Sequence, residues 1–450
     1  MKVAKGSQRT HATVIGGSIA GLLAARVLSD FYEKVTIFER DELPQNGEQR
    51  RGVPHGWHAH ALLSGGLRVT EKLFPGITQQ LVNDGAPLAD AARDGSWYVE
   101  GGHLAKSASG LVSVLTSRPF LETHVRQRLE SIDNVRIEAG ITVRGITANN
   151  GRIRGLLTDE GEVTTDLIVD ASGRGSQCPK WLESLGYDGP AEERIGVQLS
   201  YTTRVFRMKF PSRESFVAVP VDLTSKRGGV ILEQENNRWI VTLIGYFGES
   251  APVEIAGFRS FARSLPSPKI YESLIDAEPI GTPRTFKFPA STRRYYERLT
   301  RLPEGLIAFG DAICSFNPVY GQGMSCAALQ ADALRKCLER SGSDLERRFF
   351  KSAANVIDSP WSIAVGGDLR LPETAGKRSA SVRFINWYVS RLHKAGHTDP
   401  IAAAAFLRVA HLVDSPASIF SPAIVARILR NILFSTKKAA TQGTLAARYS

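Results

Sequence analysis

Cysteine is scarce in this chain. Its 450 residues include four, at positions 178, 314, 326 and 337, with no CxxC spacing. That excludes a disulfide scaffold and fits buried thiols in a reducing cytoplasm. Long apolar runs are missing as well. The longest clean one, Ile401 to Leu407, is far shorter than the roughly 18 residues that suggest a membrane span. At the N-terminus, Lys2, Lys5 and Arg9 precede only the short stretch Ala12–Ile15, whereas a secretory h-region needs about 7–15 apolar residues. No secretory signal is expected. There is no internal repeat, and Gly at 41 and Pro at 22 exclude collagen-like or low-complexity sequence.

What is present is ordinary globular composition, 42% hydrophobic and 22% charged, which excludes a mainly disordered chain. At roughly 150 residues per domain the length suggests about three units, or two with an appendage. The formal charge is +11, from 56 basic and 45 acidic residues. Residues 331–450 hold 18 of the basic and 9 of the acidic side chains, so the excess belongs mostly to the C-terminal part. A solvated face is preferred over an acidic partner or a membrane surface as its explanation. No nucleic-acid partner is expected.

The first ten residues are polar and read as frayed. A strand at Ala12–Ile15, a glycine turn, a helix from Ile19 to Leu28 and a strand at Val35–Glu39 make a βαβ opening. Residues 40–60 read as a loop. Gly65–Phe74 and residues 118–130 read as helices, the latter with Leu121, Val125 and Leu129 on one stripe. Residues 135–170 read as a strand meander. From 194 to 245 the period becomes two: Val197, Leu199, Tyr201, Thr203 and Val205 alternate, and Val230–Leu232 and Trp239–Ile244 flank a polar hairpin turn. Leu306–Phe309 reads as a buried strand, followed by a glycine loop and a helix over about 324–339. The rest is mostly helical, with Asp399-Pro400 and Ser421-Pro422 as helix starts.

Two constellations carry chemistry. The first is Val14-Ile15-Gly16-Gly17-Ser18-Ile19-Ala20-Gly21. Gly16 permits a tight strand-to-helix turn, a small residue at 18 lets amides approach a pyrophosphate, and Gly21 allows close helix–strand packing. Phosphates favour such a helix N-terminus, where N–H groups lack partners. Glu39 closes the second strand, at the separation from Gly21 where a carboxylate accepts hydrogen bonds from a ribose diol. The second is Gly310-Asp311 at a strand end, then Pro318-Val319-Tyr320-Gly321-Gln322-Gly323-Met324. An Asp there can bind a polyol hydroxyl, and the glycine-rich turn frees amides to face a ligand.

Paired across most of the chain, these motifs resemble those of FAD-dependent oxidoreductases with the para-hydroxybenzoate hydroxylase-type fold. The resemblance covers residues 11–175 and 284–340. It implies an α/β architecture: a Rossmann-like, glutathione-reductase-type FAD-binding domain, an antiparallel-sheet substrate domain and a C-terminal helical region. The expected boundaries are 11–75, 111–176 and 284–345 for the FAD-binding domain, 76–110 and 177–283 for the substrate domain, and 346–450 for the helical region. It also implies Asp311 on the ribityl chain, residues 318–324 facing flavin N1 and O2, and Arg118 approaching the FAD. Arg51-Gly52-Val53-Pro54-His55-Gly56-Trp57-His58-Ala59-His60, Asp170-Ala171-Ser172-Gly173-Arg174-Gly175-Ser176 and Phe316-Asn317-Pro318 further resemble the olefin epoxidases of polyether biosynthesis and their bacterial relatives, enzymes of secondary metabolism.

The expected cofactor is thus non-covalent FAD, bound by Gly16, Gly17, Ser18, Ile19, Ala20, Gly21, Glu39, Arg40, Arg51, His58, Arg118, Asp311, Pro318, Gly321, Gln322, Gly323 and Met324. The expected reaction is epoxidation of an apolar terpenoid or polyketide alkene with molecular oxygen, through a flavin C4a-hydroperoxide. No protein catalytic residue is assigned. Two other readings stay open: an FAD-dependent reductase or dehydrogenase of prenyl chains, and a non-catalytic flavin-binding, membrane-associated module. Ser172 stands where aromatic hydroxylases of this fold carry Asp, and no second dinucleotide loop follows. A separate flavin reductase, or weak use of NAD(P)H, is therefore the expected electron source. The absence of Trp-x-Trp-x-Ile-Pro argues against halogenation. His55, His58 and His60 have no neighbouring carboxylate or cysteine, so a loop over the flavin, with Arg51 or His58 near the cofactor, or plain loop packing is preferred to a metal site. In residues 421–434, Ile424, Val425, Ile428, Leu429, Ile432 and Leu433 fall on one helical face and Arg427 and Arg430 on the other. Packing against the protein is preferred to peripheral membrane contact.

Overall fold

The computed structural model describes residues 9–44, 47–209, 214–340 and 342–433. Among them, five parallel strands form one sheet in the order Leu306–Ala308, Leu167–Asp170, His11–Ile15, Lys34–Glu39, Val135–Ala139. The central strands are almost wholly buried, as strands covered on both faces must be. The helix Ile19–Leu28 returns across the sheet with eight of its ten residues buried. It packs against Gly323–Glu339, and that helix in turn against Ser64–Leu73.

The second sheet has eight strands. Its centre pairs Glu192–Arg207 antiparallel with both Arg238–Tyr246 and Glu278–Arg294. Arg227–Gln234 and Arg238–Tyr246 form the expected hairpin around Glu235–Asn237, with Asn236 and Asn237 at positive φ. The period-two reading of residues 197–205 matches the burial as far as Tyr201 and then fails: Thr202 and Thr203 are both buried, and Phe206 is buried where the alternation expects Val205, itself half-buried. Glu278–Arg294 is not among the expected strands: its first ten residues are largely exposed and include Pro279 and Pro283, and the short alternation of Phe286, Phe288 and Ala290 is broken by Pro289. Seventeen residues long, it crosses the boundary expected at 283/284.

The C-terminal helices are Leu345–Asp368, which runs through Pro360, then Ala380–Gly396, Pro400–Ala410 and a final helix over 422–433. Asp399 caps the third, accepting the N–H groups of Ile401 (2.9 Å) and Ala402 (3.2 Å). The last helix departs from its expected pattern. Ile424 and Ile428 are buried beside Tyr388 and Leu392, whereas Leu429 and Leu433 are 54% and 65% exposed. Nor do Arg427 and Arg430 stand free in solvent: both reach Asp399, at 2.6 and 3.3 Å. Residue 434 and residues 1–8 of the expected frayed end lie outside the described residues.

Candidate cofactor site

A cavity of about 580 Å³ opens where the carboxyl ends of the parallel strands meet the inner face of the antiparallel sheet. Ligands of open α/β sheets bind at that edge. Its first wall is the βα turn. Gly16 has φ +101°, and a Cβ there would lie 2.7 Å from the Ala171 carbonyl oxygen; one on Gly21 would lie 1.8 Å from the Gly16 carbonyl oxygen. Only glycine fits either place. Gly17 donates its N–H to Glu39 Oε2 at 2.8 Å. Gly16, Ser18, Ile19 and Ala20 line the cavity, while Gly17 and Gly21 shape the turn from behind it. The Ser18 hydroxyl does not cap its helix. It donates to Glu122 Oε2 (2.8 Å) and accepts from Arg118 Nη2 (2.7 Å). The first-turn amides, which have no intrahelical partner, are left to face the cavity.

Behind this wall lies a buried charge cluster that the sequence motifs do not announce. Arg50 Nη1 contacts Glu39 Oε2 at 2.8 Å, and its Nε contacts Glu122 Oε1 at 2.8 Å. Its Nη2 is buried without a partner among the described residues. Burial alone would push the Glu122 carboxyl up, but the Arg118 and Arg50 guanidiniums outweigh it and hold that carboxyl below its ordinary range. Arg51, the residue expected here, is exposed and off the cavity; its neighbour Arg50 turns inward instead. Arg118, Glu39 and Arg40 all line the cavity.

The second wall follows the strand Leu306–Ala308. Gly310 donates its N–H to Gln330 Oε1 at 2.9 Å, which places Asp311 on the cavity. Burial pushes the Asp311 carboxyl up, opposed by Arg174 and Arg118. Asn317 then organises the loop. Its Oδ1 accepts the Val319 N–H at 3.1 Å, and its Nδ2 donates to Tyr246 (2.6 Å) and to Asp368 Oδ1 (2.8 Å). Tyr320 donates to the same Asp368 oxygen at 3.2 Å. Burial pushes Asp368 up to about 7. Pro318, Gly321, Gln322, Gly323 and Met324 line the cavity, with Gly321 at φ +66°. Gln322 is fastened to the Ala410 carbonyl through Nε2 (3.2 Å), and its Oε1 is buried without a partner among the described residues.

These walls fit a flavin dinucleotide. At Gly173, Gly175, Gly321 and Gly323 an added Cβ would meet nothing within 4 Å, so bare backbone borders open volume. The cavity is of cofactor size, and the unpartnered Arg50 and Gln322 atoms supply one donor and one acceptor beside it.

The remaining wall is aromatic. Tyr201 comes from Glu192–Arg207, and Phe286 and Phe288 from Glu278–Arg294. Arg174 lies over both phenylalanines, 5.6 and 5.2 Å from their centroids. His55, His58 and His60 complete it. Burial lowers all three, His58 to about 4 and His60 to about 3, so they are uncharged at neutral pH. His58 Nδ1 meets Thr203 Oγ1 at 2.7 Å, and His60 Nδ1 meets the His58 carbonyl at 2.9 Å. Ser172 lines the cavity too, its hydroxyl donating to Asp170 Oδ1 at 2.5 Å. Among the described residues no cluster of three His, Cys, Asp or Glu is arranged to hold a metal ion.

Over 449 residues the chain is 34% identical to Protein Rv3254 of Mycobacterium tuberculosis, an alignment covering 95% of each. No family model matches. Among solved structures it is similar to the flavin-dependent brominase Bmp2, with TM-score 0.66 and 13% identity over 95% of this chain and 100% of that one. It is similar to a flavoprotein/dehydrogenase from Cytophaga hutchinsonii, with TM-score 0.62 and 17% identity over 97% and 100%. PqsL, a probable FAD-dependent monooxygenase from Pseudomonas aeruginosa, gives 0.59 and 17% over 80% and 98%. At these identities the likeness shows the fold: a parallel-sheet domain, an antiparallel sheet and a helical C-terminal region.

Proposed function

The chain belongs to the family of Protein Rv3254 of Mycobacterium tuberculosis, and from that premise and the cavity's two facing walls we propose that it is an FAD-dependent monooxygenase of an apolar small molecule. One observation carries this reading. Two segments far apart in the chain, 15–40 and 311–324, line one cavity, the first through its glycine turn and Glu39, the second through Asp311 and the bare backbone of Gly321 and Gly323. In this reading Gly16, Ser18, Ile19, Ala20, Glu39 and Arg40 hold the adenosine diphosphate end. Arg118 and Asp311 hold the middle, and residues 318–324 the ring. Bound and reduced, the flavin supplies activation of molecular oxygen. The protein's part is to bind, orient and keep water out.

The finer proposal is epoxidation of a carbon–carbon double bond in a terpenoid- or polyketide-like chain, the chemistry of the polyether epoxidases that the sequence resembles. The aromatic wall of Tyr201, Phe286 and Phe288 suits an apolar chain. The neutral histidines add no charge to desolvate. Oxygen transfer to a π bond needs no protein nucleophile, and Cys314 and Cys326 near the site have thiols pushed up by burial. The helix beginning at Gly323 points its N-terminus at the cavity, where negative charge is favoured by about 0.3–1 kcal/mol, or about 2 when partly buried. With Ser172 hydrogen-bonded to Asp170, the electron source in this proposal is a separate flavin reductase or weak, unselective NAD(P)H oxidation.

The test supplies chemically reduced enzyme with oxygen-18 gas and a panel of isoprenoid and polyene alkenes. An epoxide carrying one labelled atom supports the reading. A desaturated product or an allylic alcohol replaces epoxidation with dehydrogenation or hydroxylation. Protein without flavin after reconstitution removes the monooxygenase reading altogether.

A further inference from the structure

The aromatic wall contains a hydroxyl relay that ends on a histidine. Thr242 Oγ1 accepts the Ala59 N–H at 3.0 Å and lies 2.7 Å from Thr203 Oγ1. Thr203 Oγ1 lies 2.7 Å from His58 Nδ1. Thr203, Thr242 and His58 are 2%, 2% and 3% exposed, so each hydroxyl proton needs an acceptor inside the relay. A threonine hydroxyl has one proton to give. Reversed, with His58 Nδ1 donating to Thr203 and Thr203 to Thr242, the relay would leave the Thr242 proton with no acceptor among the described residues, which assigns Thr242 as the donor to Thr203 Oγ1. The proton of Thr203 then goes to His58 Nδ1. That nitrogen is consequently the acceptor, and the ring proton of this neutral imidazole sits on Nε2.

Nε2 is buried and has no hydrogen-bond partner among the described residues. Its ring lies between Tyr201 and Phe286, with centroids 5.6 and 5.5 Å away, both on the cavity. His60 is arranged the other way round. Its Nδ1 donates to the His58 carbonyl at 2.9 Å, which leaves its Nε2 as an acceptor. The two histidines of one short run are thus locked in opposite tautomers, by a hydroxyl relay and by a backbone carbonyl. A buried N–H with no acceptor costs free energy that a bound oxygen atom recovers.

We propose that His58 Nε2–H is a substrate-selecting donor: the substrate is an apolar molecule that carries a carbonyl or hydroxyl oxygen, and His58 binds that oxygen. The inference rests on the monooxygenase reading for the word substrate, but the donor itself does not depend on flavin. It narrows the substrate class from a bare hydrocarbon to an oxygenated one, because a site built around a hydrogen bond rejects analogues that lack its partner.

Two measurements test it. Nitrogen-15 histidine-labelled protein, with His58 assigned through H58Q, should show His58 protonated at Nε2 and unprotonated at Nδ1 at neutral pH, and T203V should abolish that preference. Protonation at Nδ1, or an imidazolium, overturns the proposal whether or not flavin binds. In the second, flavin-loaded protein is titrated with 2-undecanone and with 1-undecene, matched in length, and followed by intrinsic fluorescence. Ketone should bind at least about tenfold tighter than alkene. H58F should lose most of that preference, and H58Q, whose amide nitrogen reaches the place of Nε2, should retain it. Equal affinity for the two probes, or an H58F variant whose only defect is lost flavin, overturns the assignment to substrate.

Discussion

Arg50→Met offers the most direct test of how the first wall is built. Methionine keeps an unbranched stem of similar reach but removes the charge that Glu39 and Glu122 share at 2.8 Å each. Removing one partner of a buried pair costs about 3–5 kcal/mol, because the other charge stays buried without compensation. The low end applies here. Glu122 retains Arg118 at 3.3 Å and Ser18, and Glu39 retains the Gly17 and Asp41 amides. About 3 kcal/mol corresponds to roughly 6–12 °C in melting temperature for an unfolding unit of 150–250 residues. The pH dependence gives a second handle. In the wild type the depressed Glu122 carboxyl contributes stability above its ordinary pKa of about 4.3, lost as pH falls through the lower folded value. Without Arg50 that carboxyl moves up, so its burial becomes a penalty at neutral pH that a proton relieves on acidification. Scanning fluorimetry of both proteins from neutral pH to about pH 5 should show the deficit shrinking, and R50M/E122Q should recover part of it at neutral pH. A deficit under about 1 kcal/mol, or one unchanged by pH, would refute this account of the cluster.

Acid precipitation of the wild type should release FAD into the supernatant, and Asp311→Ala should sharply lower flavin occupancy by deleting a charge-assisted acceptor; FMN in the extract, or full occupancy in the variant, contradicts this. Because burial raises Asp368 to about 7, the folded state binds more protons than the unfolded one between roughly pH 4 and 7, and wild-type stability should fall as pH rises through that window. Asp368→Asn keeps an acceptor for Asn317 and Tyr320 and should flatten the slope in a melting-temperature series. Asp399→Ala removes a helix cap, worth about 0.5–2 kcal/mol, and frees Arg427 and Arg430 together. Limited proteolysis should then cut the C-terminal helix sooner than in wild type.

Local signals make half of the site legible. The turn at Gly16–Gly21 is contiguous, and its glycines show in the sequence even though Gly16 answers the distant Ala171 carbonyl and only Gly21 a contact inside the turn. The hairpin at Glu235–Asn237 is legible for the same reason. Arg50 is not, because residues 40–60 have no periodicity to tell which of two adjacent arginines turns inward. The apolar stripe of residues 118–130 says nothing of the polar side, yet Arg118, Glu122 and Arg126 are buried there. Their i, i+4 spacing with alternating charge is the available clue. Phe286 and Phe288 escape notice because their strand is stabilised by pairing with Glu192–Arg207 rather than by its own composition.

The order of the parallel sheet sets a timetable for the newborn chain. The central strand His11–Ile15 emerges first, but its neighbour Leu167–Asp170 is made only after several further elements, and that strand's own partner, Leu306–Ala308, later still. At roughly 5–20 residues per second, the ribosome needs on the order of 15–60 s between the two halves of the cradle. For that interval the glycine turn has no opposite wall. Loading of a nucleotide cofactor thus becomes a late event, and the apolar helix Ile19–Leu28 must wait for Gly323–Glu339 to cover it. Chaperones that shield exposed apolar segments have their longest task there, near the beginning of the chain.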